Sequence, residues 1–133
     1  MRFHSINIFS GEQFDGNRKK TLTGMFRRDS DCVVNAYLKS FKYYNNDQCI
    51  SLNISCDEKI EEMFVEDLWK GYPVLHIPFD LESYRKIAAS NKNEFWLKVV
   101  YDAVEHVGNE WNWDLMFFEK VYEECIIRLS NDI

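Results

Sequence analysis

Alternation of apolar and polar residues gives the clearest local pattern in the chain. Over residues 49–56 nearly every second side chain is apolar, and the side chains between them are serine or asparagine. The apolar set is Ile50, Leu52, Ile54 and Cys56. Side chains on a strand point to opposite faces in turn, so this pattern predicts a strand with one buried face and one polar face.

Three other stretches also predict strands. Residues 1–9 and 18–27 contain short runs of β-favouring side chains near glycine-containing loops, which is typical of short strands. Residues 72–79 form an apolar run bracketed by Pro73 and Pro78. Because proline cannot donate a hydrogen bond to a sheet, we expect this strand to be short and near a sheet edge.

Longer periodic segments predict helices. Residues 31–43 place apolar side chains at helical spacing, although their β-branched and aromatic residues would also suit a strand. Further along, the pattern predicts a short helix beginning at Asp80. It also predicts a longer helix with a wide apolar face over residues 95–107, closed by Gly108 at its C-terminal cap.

The last periodic segment completes the expected architecture. Asp114 is placed to cap a final helix, and Trp113 just before it is placed to pack on Phe118 as a hydrophobic staple. Strands followed by helices indicate an α+β fold. We therefore predict one domain over residues 1–133, with a small, mainly antiparallel sheet packed against a C-terminal helical layer.

An acidic stretch at residues 57–71 carries six Asp/Glu residues against two lysines. With Asp57 as N-cap and Gly71 beyond its end, the stretch predicts a helix over residues 58–70. At about 100° per residue, one arc of this helix is apolar and the opposite arc is acidic. The acidic arc would hold Glu58, Glu62 and Glu66, with Glu61 to the side and with Val65 and Trp69 among the acids.

Trp69 in this acidic arc is the feature that indicates a function. A large exposed aromatic side chain among carboxylates is typical of an interface anchor with a charged rim, and the carboxylates would attract a basic protein. The predicted partner-binding residues are Glu58, Glu61, Glu62, Glu66 and Trp69. Two alternatives stay open: Trp69 is covered by another segment, as most tryptophans are largely buried, or residues 62–69 form a strand.

Charge is divided unevenly along the chain, whose formal net charge is -6. Residues 1–50 hold eight Lys/Arg against five Asp/Glu, whereas residues 51–133 hold eight against seventeen. Phosphates would be repelled by the second part, so we expect no direct nucleic-acid binding there. The basic cluster Arg18, Lys19 and Lys20 is short, and such runs are usually solvated.

Apolar runs in the sequence are all shorter than the ~18 residues that a membrane helix needs. The N-terminus also lacks the apolar core and small-residue cleavage site of a signal peptide. We therefore expect a cytoplasmic protein that does not engage a membrane.

Residue patterns typical of catalytic or metal sites are not found in the sequence. The four cysteines contain no Cys-x-x-Cys pair, so we expect buried free thiols and no zinc site. There is no glycine-rich phosphate loop and no Gly-x-Ser-x-Gly motif. The remaining acid–base candidates are His76, within a predicted strand, and His106, one helical turn after Asp102. A small enzyme using either histidine with a carboxylate is an alternative function, as is a ligand-binding or adaptor domain, but we expect no catalytic residue and no cofactor.

The C-terminal part of the chain resembles a known group of proteins. Residues 79–127 contain a helix start at Phe79-Asp80, an aliphatic helix, a turn at Trp113-Asp114 and a final amphipathic helix. This order is similar to the C-terminal part of small bacterial immunity proteins from contact-dependent growth inhibition and related polymorphic toxin systems, although Gly108 lies further upstream than in the family pattern. The resemblance implies a cytosolic α+β protein that binds one toxin domain, often a basic nuclease, and blocks its active site or substrate surface. We therefore predict a non-enzymatic inhibitor of a cognate bacterial toxin domain.

Overall fold

One strand and one long helix begin the fold, three consecutive strands follow, and helices form the C-terminal part. The computed structural model describes residues 1–11, 20–41, 43–67 and 69–131. The strands are β1 (Ser5–Ser10), β2 (Ser51–Asp57), β3 (Phe64–Glu66) and β4 (Val74–Pro78). The α-helices are α1 (Lys20–Phe41), α2 (Leu81–Arg85), α3 (Lys92–Glu110) and α4 (Leu115–Asn131), with a 3-10 turn at Ala89–Asn91 between α2 and α3. The predicted α+β class is confirmed, but α1 lies between β1 and β2, so the strands do not all precede the helices.

The strands form a four-stranded sheet in the order β1-β2-β4-β3. β1 is parallel to β2, and β2 is parallel to β4, whereas β3 runs antiparallel to β4. The prediction of a mainly antiparallel sheet is therefore wrong. The first two strands are parallel because α1 carries the chain from the end of β1 back to the start of β2, as parallel neighbours require. β4 is short and near a sheet edge, as predicted, and it pairs with the edge strand β3.

One face of this sheet is apolar and the other is polar, as the alternation over residues 49–56 predicts. The apolar face is buried beneath the helices and contains Ile6, Ile8, Leu52, Ile54, Cys56, Leu75 and Ile77. On the polar face, Ser5 Oγ and Ser51 Oγ lie 2.7 Å apart, and Asn7 Nδ2 donates to Ser51 Oγ at 2.8 Å. Ser5, Asn7 and Ser51 thus satisfy one another across the pair of strands, whereas the buried Ser55 hydroxyl on β2 has no hydrogen-bond partner among the described residues.

α1 corrects one predicted element and confirms another. The strand predicted over residues 18–27 is wrong within the described residues, since α1 begins at Lys20, while Arg18 and Lys19 lie outside them. The helix predicted over residues 31–43 is confirmed, and it is the second half of α1. A short apolar run does not separate strand from helix by itself, and the sheet here supplies a surface for a helix to cover.

One face of α1 packs on the core. Phe26 and Val33 are buried seven residues apart, which is two turns of a helix. Beside this face, Arg27 Nε donates to Ile8 O at 3.2 Å, and its guanidinium lies 4.7 Å from the centre of the Phe9 ring. Arg27 therefore has a structural role at the outer edge of β1.

α3 and α4 pack beside α1 and complete the helical layer. α3 continues to Glu110, so Gly108 lies buried inside the helix and is not its C-terminal cap. A Cβ added at Gly108 would stand 3.1 Å from Leu115 Cδ2. The small residue thus lets the start of α4 approach α3 closely.

The start of α4 has the predicted geometry. Asp114 Oδ1 accepts a hydrogen bond from Phe117 N at 3.3 Å, so Asp114 caps the helix. The Trp113 and Phe118 rings lie 5.3 Å apart and form the staple. Trp111, which the sequence leaves without a role, is half-buried with its ring 5.7 Å from that of Trp113.

None of the described helices combines the length and the apolar composition needed to cross a lipid bilayer.

Candidate functional site

The acidic stretch does not form the helix predicted over residues 58–70. β2 ends at Asp57, whose Oδ1 accepts a hydrogen bond from Lys59 N at 2.8 Å. This bond closes a turn in which aspartate substitutes for a backbone acceptor. The chain then continues through further bends to Met63.

β3 takes the place of the second half of that helix. Phe64 lies opposite His76 and Val65 lies opposite Leu75 in the antiparallel pairing with β4. Val65 is half-buried, whereas Phe64 and Glu66 are exposed, which is the period-two pattern of a strand. The strand alternative for residues 62–69 is therefore closer to the structure, because an available sheet edge satisfies the backbone groups here.

Two of the five predicted contact residues already have partners within the molecule. Glu58 Oε1 accepts a hydrogen bond from Leu81 N at 3.0 Å and so supports the first turn of α2. Glu66 Oε1 lies 3.0 Å from His76 Nε2 and links β3 to β4. These two carboxylates contribute to local structure whether or not a partner binds.

The other three predicted residues are available to solvent. Glu61 and Glu62 are exposed and form no hydrogen bond or ion pair with any described residue. Trp69 is exposed over 70% of its surface. The alternative in which Trp69 is covered by a loop or by the C-terminal helices is therefore wrong within the described residues.

The turn that carries Trp69 is anchored to the sheet. Tyr72 N donates to Trp69 O at 2.9 Å. Gly71 adopts a left-handed φ of +88°, and its carbonyl accepts a hydrogen bond from Ile50 N at 2.7 Å. Only glycine adopts this conformation without strain, so the turn holds the Trp69 backbone in a defined place beside the start of β2.

Two further aromatic side chains are exposed on the same part of the sheet. Phe64 is 45% exposed and Tyr72 is 48% exposed. Phe64 lies on β3, two residues after Glu62, and Tyr72 lies in the turn that follows β3. We call this surface the β3 margin and define it by Glu61, Glu62, Phe64, Glu66, Trp69 and Tyr72. A helical interpretation of the sequence assigns Phe64 to the core, whereas a strand interpretation of residues 63–66 places Phe64 on the same face as Glu66.

His76 is the better placed of the two acid–base candidates, but it is shielded. Its Nε2 is bonded to Glu66, its ring stacks on Phe64 with 4.5 Å between the ring centres, and its side chain is only 13% exposed. Ser55 is its neighbour in register on β2, but Ser55 is fully buried. The Phe64 ring therefore covers one face of the His76 imidazole.

His106 does not pair with Asp102 as the sequence suggests. Its Nε2 lies 4.0 Å from Glu110 Oε2, and Asp102 Oδ2 instead lies 3.3 Å from Lys98 Nζ. Both are contacts between side chains one helical turn apart on a solvated face, and such contacts usually contribute little to stability.

The cysteines follow the expectation in part. All four are free; Cys49, Cys56 and Cys125 are buried, whereas Cys32 is exposed on α1, contrary to the expectation of buried thiols. Among the described residues, no three His, Cys, Asp or Glu side chains converge as ligands for a metal ion.

Models of protein families, curated protein sequences and solved structures give no match to this chain. The case for a function therefore depends on the geometry of the β3 margin.

Proposed function

We propose that this chain is an immunity protein that binds and neutralises a cognate bacterial toxin domain through the β3 margin. The observation that carries the proposal is the 70% exposure of Trp69 just after β3, with the exposed Glu61 and Glu62 just before this strand. Tryptophan is among the residues most enriched at the centres of protein interfaces. In this proposal the protein acts by binding and does not transform a substrate.

Charge and shape together indicate the kind of partner. Glu61 and Glu62 are exposed and contribute negative charge to this surface. A cationic toxin domain, such as a nuclease with a basic substrate surface, would be attracted to this charge and would associate faster because of it. Phe64, Trp69 and Tyr72 would then supply the apolar area that slows dissociation.

Protection of a sheet edge is another role for these acids. β3 is an edge strand, and charged side chains at such edges hinder pairing with other chains. This role accounts for Glu66 and its neighbours, but it does not account for Trp69, because an exposed tryptophan favours association. A docking surface accounts for both features.

Co-expression gives the direct test of the proposal. We expect the gene for this chain to follow directly the gene for a large secreted toxin, and we expect the chain to restore growth of cells that express the C-terminal domain of that toxin. The two purified proteins should also form a complex. Continued killing despite folded, abundant protein, or loss of protection in a His76→Ala variant that still binds the toxin, would contradict the proposal. The second outcome would favour the small-enzyme alternative, which the His76–Glu66 pair supports.

A further inference from the structure

A surface groove runs between α3 and α4, and two cavities of about 230 Å³ and about 400 Å³ lie along it. The smaller cavity lies between the second half of α3 and the first turns of α4. The larger cavity lies between the first turns of α3 and the last turns of α4. Tyr101 lines the smaller cavity and Tyr122 lines the larger one, and their rings lie 4.4 Å apart, so the two cavities adjoin. We call this surface the α3–α4 groove.

The floor of the α3–α4 groove is apolar. Leu97, Val104 and Phe118 line it from below and are buried in the main core. Leu115 and Ile126 line it from α4 and stay exposed over 36% and 40% of their surfaces. Continuous apolar surface of this kind, when it is rimmed by polar residues, is typical of an interaction site.

Among the described residues, every charged side chain that lines the groove is acidic. Glu94 and Glu105 lie on α3 and Glu119 lies on α4, and all three are exposed. Glu105 is hydrogen-bonded to the Tyr101 hydroxyl, but a neutral hydroxyl does not cancel its charge. The three carboxylates are spread over both cavities and over both helices.

The four Lys/Arg residues of α3 and α4 do not line the groove, and three of them are engaged elsewhere. Lys92 Nζ donates to a backbone carbonyl of α2 at 2.8 Å, and Arg128 Nη1 donates to one of α1 at 3.2 Å. Lys98 Nζ lies 3.3 Å from Asp102 Oδ2. The fourth, Lys120, is exposed beside the groove. The lining thus keeps three negative charges against one lysine on its flank.

We propose that the α3–α4 groove binds a basic amphipathic helix of a protein partner other than the toxin domain. A helix that lies in a groove places apolar side chains on the floor at positions i, i+3, i+4 and i+7. Its flanking lysine or arginine side chains would then lie near Glu94, Glu105 and Glu119. The lining extends along α3 from Asn93 to Asn109, which is roughly 24 Å of helix, so a partner helix of about four turns fits it.

Charge also decides between this partner and a second copy of the chain. Two copies docked groove to groove would bring like charges together, which disfavours self-association. The groove shares no residue with the β3 margin, so the inference goes beyond the proposed function and does not depend on it. Peptide binding at the groove and growth protection against the toxin are separate measurements, and either can fail without the other.

Amide NMR spectra of the intact chain, titrated with the acetylated and amidated peptide LKKLLKLLKKLLKL, test this inference without a natural partner. The peptide LEELLELLEELLEL keeps the leucine pattern and reverses the charge, so it is the matched ligand control. We expect saturable shifts at Leu97, Tyr101, Tyr122 and Ile126 with the lysine peptide, and much weaker shifts with the glutamate peptide. Equal binding of the two peptides, or shifts that avoid the groove, would overturn the inference.

A pair of double variants tests the role of the carboxylates. Glu94→Gln/Glu119→Gln should weaken binding of the lysine peptide roughly two- to tenfold, which is the range expected for two exposed charge pairs. Glu61→Gln/Glu62→Gln removes the same charge from the β3 margin and should change binding much less. Equal weakening by both would show general attraction to an acidic protein and would contradict a site at the groove.

A pair of α4 variants tests the apolar floor. Ile126→Ala shortens a side chain that lines the groove, whereas Ile127→Ala makes the same change at the next position, which is 60% exposed and outside the lining. We expect the first variant to weaken peptide binding at least about twofold, because it removes buried apolar area, and the second to leave binding unchanged. Equal effects would argue against the groove. Shifts at the groove that grow with protein concentration in the absence of peptide would assign it to a second copy and would also overturn the inference.

Discussion

Among the tryptophans of the chain, Trp69 differs from the others in what surrounds it. Trp96 is fully buried and Trp113 is 6% exposed, and both pack in aromatic clusters of the core. Trp69 is 70% exposed and extends from a turn whose backbone, through Gly71, is bonded to the sheet. Folding therefore gains little from its side chain, and a binding partner could gain much more.

The Trp69→Ala variant should separate folding from binding. We expect its free energy of unfolding to change by less than about 0.5 kcal/mol, as for other surface substitutions, when measured by urea denaturation. Dissociation of the toxin complex should become at least about fivefold faster, which corresponds to about 1 kcal/mol for an interface anchor. Met116→Ala, at a residue that is 82% exposed on α4, is the control. Equal dissociation rates for the two variants would argue against Trp69 as a contact.

Thiol reactivity checks the burial of the cysteines. Cys32 is exposed, and the other three cysteines are buried. A thiol-specific chromogenic reagent should therefore label Cys32 quickly in the native protein and should label the others only after denaturation. A Cys32→Ser variant should lose the fast phase. Fast labelling that persists in this variant would show that a core thiol is accessible.

At the scale of whole elements, the sequence predicts those elements that depend on local residue patterns. It does not predict those elements whose conformation depends on pairing or packing with the sheet. The strand in residues 49–56 and the cap at Asp114 depend on neighbours in sequence, and both are present. Residues 58–70 are ambiguous locally, because they fit a helix or a strand, whereas the local pattern of residues 18–27 favours a strand. The described part of residues 18–27 forms the start of α1, because a parallel sheet needs a crossover. Residues 64–66 form β3, because β4 offers an edge with which they pair.

The same distinction applies to the candidate site. The acidic residues and Trp69 lie in one segment of the sequence, so the position of the site along the chain could be predicted. The shape of the site could not be predicted, because it depends on the pairing of Phe64 with His76 across two strands. These two residues would not be neighbours if the segment were a helix.

The cap of α4 gives a test at the level of a single element. Asp114→Ala removes the acceptor for Phe117 N and should lower the free energy of unfolding by about 1 kcal/mol. Asp114→Asn keeps an oxygen acceptor of similar capping strength and should be nearly neutral. Urea denaturation of the two variants measures the difference, and equal destabilisation would indicate that the charge, not the hydrogen bond, stabilises the helix.

In the molecule as a whole, the helices cover one face of the sheet. The core between them contains several thiol and phenol groups, and burial favours the neutral form of each. Burial, with a smaller effect of Asp67, raises the pKa of the Cys49 thiol from 9.0 to about 12. Burial likewise raises the pKa of Cys125 from 9.0 to about 11, and it raises the pKa of Tyr37. The folded state therefore keeps protons that the unfolded chain releases at alkaline pH.

Stability should fall as pH rises above about 9. Below this pH both states hold the thiol protons; above it the unfolded chain binds fewer protons than the folded one, so the free energy of unfolding decreases with pH. The loss due to Cys125 should be complete near pH 11 and that due to Cys49 near pH 12. Urea denaturation at a series of pH values measures this slope. A Cys49→Ala variant should show a shallower slope, and an unchanged slope would contradict the assignment to Cys49.

The central claim is that the β3 margin is where a cationic toxin domain docks, and association kinetics test it most directly. The measurement compares Glu61→Lys/Glu62→Lys with Glu119→Lys/Glu123→Lys, which makes the same change in net charge on exposed residues of α4. We expect the first double variant to associate with the toxin domain roughly tenfold more slowly at low salt and to lose much of the salt dependence of the rate, since local charge steers encounter. The α4 variant should change the rate much less. Equal slowing by the two double variants, or no slowing by either, would contradict the docking of a cationic partner at this margin.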